Sequence, residues 1–329
     1  MIERNAATPS RLAVLAVLAL VLVAAVVQGA TAEEGPVLLV YGFQPLIGFH
    51  APQLWSDLAI RISGRPVSEA ETIWLDAWHR LFRLPALDEE HRDIFISDYG
   101  MPYEPTVRDL RFYAFRLSEE LAWIEENAHA GALDVIAFSM GALVVRCVIE
   151  SGDFETALGT SEIRDYGAVD GSAVRTLISI AGPHHGAEFA AIGPWFGPLP
   201  QQLDPSSSFL ATLNAASDGE GSGLAPGVRY VSLAGQSCLG FGCSIRSDVE
   251  TCRRECVVEG LAWEGHDLVI VMGSARLDGA ENVPCIGFDH IDMRTAPVIL
   301  DVLARLLRGE MIEEAIYATE ELAKAASDP

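Results

Sequence analysis

Short runs of apolar, often β-branched residues alternate along this chain with longer stretches of helical periodicity. The runs of strand length are Val37–Tyr41, Asp93–Ser97, Asp134–Phe138, Arg175–Ala181, Arg229–Ala234 and Val283–Phe288. The helical patterns are Leu110–Glu126, Gly141–Glu150 and Pro297–Lys324. Strands that are buried on both faces read as continuous apolar runs. The alternation therefore predicts an α/β fold with a mostly parallel, doubly wound sheet and helices on both of its faces.

The N-terminal segment has the organisation of an export signal. Arg4 and Arg11 precede an uncharged apolar run from Leu12 to Val27, and Ala30-Thr31-Ala32 follows it. A basic flank, a short apolar stretch and a small-x-small exit predict a signal peptide over residues 1–32, cleaved after Ala32, and a secreted or periplasmic protein. The alternative is an uncleaved anchor, because the run is close to the shortest length that spans a bilayer. Residues 33–329 then form one domain with loop insertions.

The charge balance excludes some classes of partner. The chain has 46 acidic against 22 basic residues, a net charge of −24, and half of its residues are hydrophobic. Such a hydrophobic fraction supports a folded core and excludes a disordered chain. The acidic balance argues against nucleic acid, which needs a basic surface. It also argues against charge-driven docking on an anionic membrane, so we expect any lipid contact to use apolar surface.

Cysteines are concentrated in an insertion at about residues 237–263. The members of this cluster are Cys238, Cys243, Cys252 and Cys256. In an oxidising compartment the cluster favours one or two disulfides over a zinc site, although the pairing does not follow from the sequence. Cys147 lies in an apolar helical run and is predicted to be a buried thiol. Cys285 is either free or joined to the cluster.

A transition from strand to turn to helix surrounds Ser139. The apolar run Asp134–Phe138 leads directly into Ser139, and a helical pattern begins immediately afterwards. A nucleophile elbow has this context and needs small residues two before and two after the serine, which Ala137 and Gly141 provide. The helix N-terminus favours developing negative charge there. The sequence therefore predicts that Ser139 is a nucleophile, and the alternative is a serine that only caps the helix.

A serine nucleophile needs a histidine base and an orienting carboxylate, which follow it along the chain in this kind of fold. His290 comes directly after the last apolar run, and Asp267 lies upstream of it. We predict that these two residues complete a triad. Asp278 belongs to an Asp-Gly turn signal, and Asp289 and Asp292 are too near His290 in sequence to be favoured.

Two backbone amides should stabilise the oxyanion that forms when the serine attacks a carbonyl carbon. One is the amide of Met140, the residue after the nucleophile. The other is assigned to Phe43, because Tyr41-Gly42-Phe43 follows the first strand and lets the backbone turn towards the serine. Removing one such donor typically lowers the rate about 10²–10³-fold.

These motifs resemble those of α/β-hydrolase lipases and esterases, especially small secreted bacterial triacylglycerol lipases and their inositol-deacylase-like relatives. The matching segments are Val37–Phe43, Ala137–Gly141, Ser179–Gly186, Gln202–Leu210, which looks like a lid segment, and Asp267–His290. The resemblance implies the roles given above for the triad and the oxyanion donors. It also implies that His184 and His185 are structural. The chain departs from its relatives at Tyr41, Ala137 and Phe138.

Residues Gln44 to Arg92 form an apolar insertion with two interpretations. The large aromatic residues in it are Trp55, Trp74, Trp78 and Phe82. One interpretation is an acyl-binding surface, together with Ile192–Leu199, under a lid that opens at a lipid interface. The other is an ordinary helical core, because apolar helix faces usually pack inward.

The sequence thus predicts an exported hydrolase of carboxylic esters, a lipase or esterase acting on an ester or lipid through an acyl-enzyme. No metal or organic cofactor is needed for this chemistry. A thioesterase or an acyltransferase would use the same residues. A non-catalytic binding module on the same fold is the alternative from a different class.

Overall fold

A computed structural model of the chain describes residues 35–42, 51–76, 79–98, 110–128, 132–150, 173–187, 201–215, 224–236, 267–286 and 288–310. The chain divides into two compact units, Met1–Glu34 and Gly35–Pro329. The first unit, with the predicted signal peptide, lies outside the described residues. The same is true of the cysteine cluster and of residues 311–329.

One twisted sheet of eight strands organises the described part of Gly35–Pro329. Its strands are β1 (Val37–Val40), β2 (Glu71–Trp74), β3 (Arg80–Leu84), β4 (Ile94–Asp98), β5 (Leu133–Phe138), β6 (Val174–Ile180), β7 (Arg229–Gln236) and β8 (Glu281–Ile286). Their order is β2-β3-β4-β1-β5-β6-β7-β8. Strands β4, β1, β5, β6, β7 and β8 are mutually parallel, while β2 and β3 are antiparallel to their neighbours. This confirms the predicted mostly parallel α/β sheet.

The described helices include the three that the periodicity predicts, which begin at Leu110, Met140 and Pro297. In chain order, the described helices are α1 (Ala51–Leu54), α2 (Ser56–Ser63), α3 (Leu110–Ala128), α4 (Met140–Ile149), α5 (Ser208–Ala215), α6 (Met272–Ala275), α7 (Asp292–Thr295) and α8 (Pro297–Leu307). A short 3₁₀ turn forms Val67–Glu69. Within the described ranges, no helix combines the length and the hydrophobicity that crossing a membrane requires.

The strands that surround β1 are apolar because both of their faces are covered. Every residue of β1, β4 and β5 is buried. Strand β1 pairs in parallel with β4 on one side and with β5 on the other, so that it occupies the middle of the sheet. The carboxyl ends of β1 and β5 therefore lie side by side. Ligands of open α/β sheets bind at such carboxyl ends.

Two sequence predictions need correction. The helical pattern predicted over Pro297–Lys324 is interrupted: α8 ends at Leu307, and Gly309 adopts a left-handed φ of 75° just beyond it. The helical interpretation of the insertion before Arg92 is wrong for its second half. There, β2 and β3 form an antiparallel hairpin that extends the sheet at its edge.

The aromatic residues of this insertion divide between core and surface. Trp55 and Phe82 are buried in the main hydrophobic core, which favours the core interpretation for these two side chains. Trp74 lies on the edge strand β2, is 60% exposed and stacks with the guanidinium of Arg80. Trp78 and residues 192–199 lie outside the described residues.

Candidate active site

Ser139 occupies a strained turn between β5 and α4. Its φ of 53° and ψ of −131° are rare for a residue with a Cβ, and its amide donates a hydrogen bond to the carbonyl of Ile180 on β6 (2.8 Å). This is the sharp strand-to-helix turn that a nucleophile elbow requires. The side chain of Ser139 caps no amide of α4, so the structure does not favour the helix-cap alternative.

Two glycines allow the backbone after β1 to approach this turn closely. A Cβ on Gly42 would lie 2.7 Å from the Cβ of Ser139 and 2.9 Å from the carbonyl oxygen of Phe138. A Cβ on Gly141 would lie 2.4 Å from the carbonyl oxygen of Tyr41. Any larger residue at either position would push the two segments apart. The approach keeps the segment predicted to carry an oxyanion donor beside Ser139.

The structure brings the three predicted triad residues together. The Oγ of Ser139 lies 3.1 Å from Nε2 of His290, and Nδ1 of His290 lies 2.6 Å from Oδ2 of Asp267. His290 also donates its backbone N–H to the carbonyl oxygen of Asp267 (2.8 Å). Both Asp267 and His290 are buried, at 1% and 8% exposure. The imidazole is therefore held from both ends, with one nitrogen facing the serine and the other facing the carboxylate.

Backbone hydrogen bonds fix the orientation of the Asp267 carboxylate. Its Oδ1 accepts the amides of Val269 (2.9 Å) and Ile270 (2.6 Å), which leaves Oδ2 for His290. Leu268 has a positive φ of 79°, which lets the backbone make this tight turn. A carboxylate with one oxygen anchored to the backbone presents the other in a single direction, which is what orienting an imidazole requires.

The disfavoured carboxylates have other partners. Asp289 uses Oδ1 to accept the amides of Ile291 and Asp292, both at 2.8 Å, at the start of α7. Asp278 lies at the surface, where it faces Arg276 at 3.4 Å. The geometry thus selects Asp267 among the carboxylates that the sequence offered.

Aromatic and cationic groups that the sequence interpretation missed lie beside His290. The ring of Phe138 packs against the imidazole with 4.8 Å between ring centroids. The guanidinium carbon of Arg294, on α7, lies 5.4 Å from the centroid of the same Phe138 ring. The only sequence signal for Arg294 is its place one helical turn after His290, which is weak by itself.

A buried polar network connects α4, the helix that follows the elbow, to neighbouring elements. His184 Nε2 lies 2.9 Å from Oγ of Ser179 on β6, and the His184 carbonyl oxygen accepts Nδ2 of Asn214 (2.9 Å). Asn214 in turn accepts a hydrogen bond from Arg146 of α4, which is paired with Glu150 (3.0 Å). The network joins α4 to α5 and to the turn after β6. Its contacts favour a structural role for His184.

Burial lowers the pKa of His184 well below its ordinary value, and the positive charges of Arg146 and His185 act in the same direction. The folded protein therefore keeps this imidazole neutral, while the unfolded chain binds a proton below about pH 6.5. We expect the free energy of unfolding to fall as the pH is lowered from 6.5 to 5, with His184 contributing up to about 1.4 kcal/mol per pH unit. Urea unfolding of the wild type and of His184→Gln across this range measures the contribution.

The slope of unfolding free energy against pH should be smaller in His184→Gln than in the wild type. His91→Gln is the control, because this histidine is only partly buried and pairs with Asp88 at the surface. It should retain the steep slope. Equal slopes in the wild type and in His184→Gln would contradict the assignment of a neutral buried imidazole.

Several predicted residues cannot be placed. Phe43 and the four clustered cysteines lie outside the described residues, so the second oxyanion donor and the disulfides stay predictions. Met140 is described and is the first residue of α4, next to Ser139. Cys147 is buried as predicted.

Cys285 forms no disulfide, which corrects the possibility of a bond to the cluster. Burial raises the pKa of its thiol to about 12. Among the described residues, no group of His, Cys, Asp and Glu side chains is arranged to hold a metal ion.

Comparison with known proteins gives the same class as the fold. Residues 121–226 match the family model of class 2 lipases. The mature Bacillus licheniformis lipase BlEst2 superposes with a TM-score of 0.51 at 18% identity, covering 84% of this chain and 93% of that one. The lin2722 gene product of Listeria innocua gives a TM-score of 0.50 at 13% identity, with 84% and 94% coverage. No curated protein matches the chain in sequence.

The sheet order, the elbow and these similarities define the class of the protein. It has the α/β-hydrolase fold. Residues 121–226, which contain Ser139, are similar in sequence to class 2 lipases.

Proposed function

We propose that this protein hydrolyses carboxylic esters with Ser139 as nucleophile, His290 as general base and acid, and Asp267 as the residue that orients the imidazole. The observation that supports this most is the continuous hydrogen-bond chain from the Asp267 carboxylate through both nitrogens of His290 to Ser139 Oγ. Such an arrangement defines the serine hydrolase triad by its geometry and roles rather than by sequence position.

The reaction begins when Ser139 Oγ attacks the ester carbonyl carbon and His290 Nε2 accepts the hydroxyl proton. The negative charge that develops on the carbonyl oxygen is stabilised by the Met140 amide at the N-terminus of α4 and, in this proposal, by the amide of Phe43. His290 then passes the proton to the leaving alcohol as the carbon–oxygen bond breaks. The product of this half-reaction is an acyl-enzyme on Ser139.

Water completes the cycle by the same steps. His290 takes a proton from water, the resulting oxygen nucleophile attacks the acyl carbon, and the proton returns to Ser139 as the carboxylic acid leaves. Asp267 stays ionised throughout and stabilises the imidazolium that forms twice in each turnover. The proposal includes export by the N-terminal segment and an apolar surface that meets lipid, in accordance with the sequence.

Covalent labelling tests this proposal directly. A p-nitrophenyl alkylphosphonate should release one equivalent of p-nitrophenol and leave an adduct on the Ser139 peptide in mass spectrometry. Ser118→Ala is the matched control and should label fully, because it removes a hydroxyl on α3 that donates to the carbonyl oxygen of Phe115 (2.7 Å). Absence of an adduct on Ser139 would contradict the enzymatic function and support a binding module.

A second experiment separates an esterase from a lipase. It compares the rates of hydrolysis of p-nitrophenyl esters of increasing chain length with the rate on emulsified triglyceride.

A further inference from the structure

Arg294 differs from every other arginine that the structure describes. Those arginines pair with a carboxylate, and Arg111 also has an interaction partner. Arg294 has no carboxylate within ion-pair distance among the described residues, and its buried Nε has no hydrogen-bond partner. The guanidinium of Arg294 lies over the ring of Phe138.

This lack of a partner is energetically unusual. A partly buried guanidinium loses hydration, and desolvation lowers the pKa of Arg294 with no neighbouring carboxylate to offset it. Stacking on an aromatic ring returns only about 0.5–2 kcal/mol. The chain has 46 acidic residues, so carboxylate partners are abundant. A cation left unpaired in such a protein suits an anion that arrives with a ligand.

The position of Arg294 relates it to the leaving group. Its guanidinium contacts the Phe138 ring, and that ring contacts the imidazole of His290. The backbone at Gly42 approaches Ser139 instead, at the elbow. Since His290 delivers the proton to the leaving alcohol, groups beside His290 face the alcohol part of an ester.

Exposed aliphatic residues directly follow two residues of the predicted triad along the chain. Ile291, directly after the base, is 56% exposed, and Leu268, directly after the acid, is 52% exposed. Ile291 is also linked to Arg294 through the turn of α7, because its carbonyl oxygen accepts the Arg294 amide (3.0 Å). A cation and apolar side chains near the triad match an alcohol moiety with an anionic group beside less polar parts.

We propose that Arg294 binds an anionic group on the alcohol moiety of the substrate, so that the preferred substrates are carboxylic esters of phosphorylated alcohols. The inference rests on the proposed ester hydrolase function and specifies its substrate class. The phosphate accepts hydrogen bonds from the guanidinium, which replace the hydration that Arg294 has lost. Arg294 is in this sense a specificity-determining residue outside the triad.

Matched esters with and without the phosphate test the assignment. The soluble pair is butyryl-glycerol phosphate and monobutyrin, and the lipid pair is dioctanoyl phosphatidic acid and dioctanoylglycerol in neutral detergent micelles. We expect the wild type to prefer the phosphorylated member. The measured quantity is kcat/KM for the phosphorylated ester divided by kcat/KM for the neutral one. Arg294→Gln should lower this ratio about ten- to a hundredfold, mainly by raising KM for the phosphorylated ester. Arg294→Lys should restore part of the ratio. If Arg294→Gln lowers the ratio in only one of the two pairs, that pair shows whether the phosphorylated substrate is a soluble ester or a lipid.

A control variant and an ester with its anion on the acyl side distinguish anion binding by Arg294 from packing against Phe138. Arg308→Gln, which removes an exposed arginine paired with Glu310, should leave the ratio unchanged. Mono-p-nitrophenyl glutarate, which carries its anion on the acyl side, should show no greater loss in Arg294→Gln than p-nitrophenyl butyrate. Equal loss on phosphorylated and neutral esters would overturn the proposal and indicate that Arg294 only packs Phe138. A selective loss on the glutarate would overturn the alcohol-side assignment.

Direct binding separates this proposal from the proposed function. Calorimetry with glycerol phosphate on Ser139→Ala measures the anion site without catalysis, and Arg294→Gln in that background should weaken binding at least tenfold. Inactivity of the wild type on every ester would contradict the hydrolase, while this titration would still decide the role of Arg294. Equal affinity of glycerol phosphate for Ser139→Ala and for the double variant with Arg294→Gln would overturn the assignment of an anion site at Arg294.

Discussion

Replacing Ser139 with glycine is expected to abolish ester hydrolysis and to stabilise the fold relative to alanine at the same position. The loss of the nucleophile should lower kcat about 10⁶-fold, as in serine hydrolases whose triad serine is removed. The gain in stability has a different origin. Ser139 has a φ of 53° with ψ of −131°, a conformation in which a Cβ is strained and glycine is not. Such strain costs of order 1–3 kcal/mol.

Ser139→Ala is the matched control for this experiment. Alanine and glycine both remove the hydroxyl and its 3.1 Å contact with His290, but alanine keeps the strained Cβ. Glycine also makes the unfolded chain more flexible, which offsets part of the gain. We expect both variants to be inactive and Ser139→Gly to have a free energy of unfolding about 1 kcal/mol above that of Ser139→Ala. Equal unfolding free energies in urea would contradict a strain that exceeds the cost of glycine's added flexibility in the unfolded chain.

Asp267→Asn is expected to lower kcat about 10⁴-fold with little effect on KM. Asparagine can keep its carbonyl oxygen on the amides of Val269 and Ile270, which places its NH₂ group against Nδ1 of His290. An imidazole that accepts at Nδ1 carries its proton on Nε2, so the nitrogen facing Ser139 can no longer accept the hydroxyl proton. Steady-state kinetics on a short p-nitrophenyl ester measures the loss.

The neighbouring carboxylate provides a matched comparison. Asp289→Asn removes a charge that lies next to His290 in sequence, but the Asp289 carboxylate accepts backbone amides of α7 and does not contact the imidazole. We expect its kcat to stay within a few-fold of the wild type, with a modest loss of stability from the weaker cap. A larger loss in Asp289→Asn than in Asp267→Asn would reverse the assignment of the orienting acid.

The order of the central elements is predictable from local patterns. Buried parallel strands and covering helices differ in period and length, so runs such as those of β5 and α4 are recognisable one segment at a time. The elbow at Ser139 is also local, because strand, small residues and helix follow each other directly along the chain. These features need no knowledge of distant contacts.

The hairpin β2–β3 is not predictable in the same way. Strand β2 is the edge strand and most of its residues are exposed, while β3 lies between β2 and β4 and mixes arginine with apolar residues. Neither strand therefore has the continuous apolar run of a central strand. Their conformation depends on the pairing of β3 with β4, in which Arg80 lies opposite Asp98. The helical interpretation of this region is wrong because an edge strand owes its structure to its neighbour.

The sequence by itself determines the alternation of strands and helices, the turn at Ser139 and the chain order of serine, acid and base. These follow from short-range spacing and from the chemistry that a serine nucleophile needs. Only the tertiary structure shows the contact between the predicted Asp267 and Nδ1 of His290, and the place of Arg294 over the ring of Phe138 with no carboxylate of the described residues within ion-pair distance. Both outcomes depend on how segments distant in sequence are packed together, because a side chain's charge partners are set by neighbours in space.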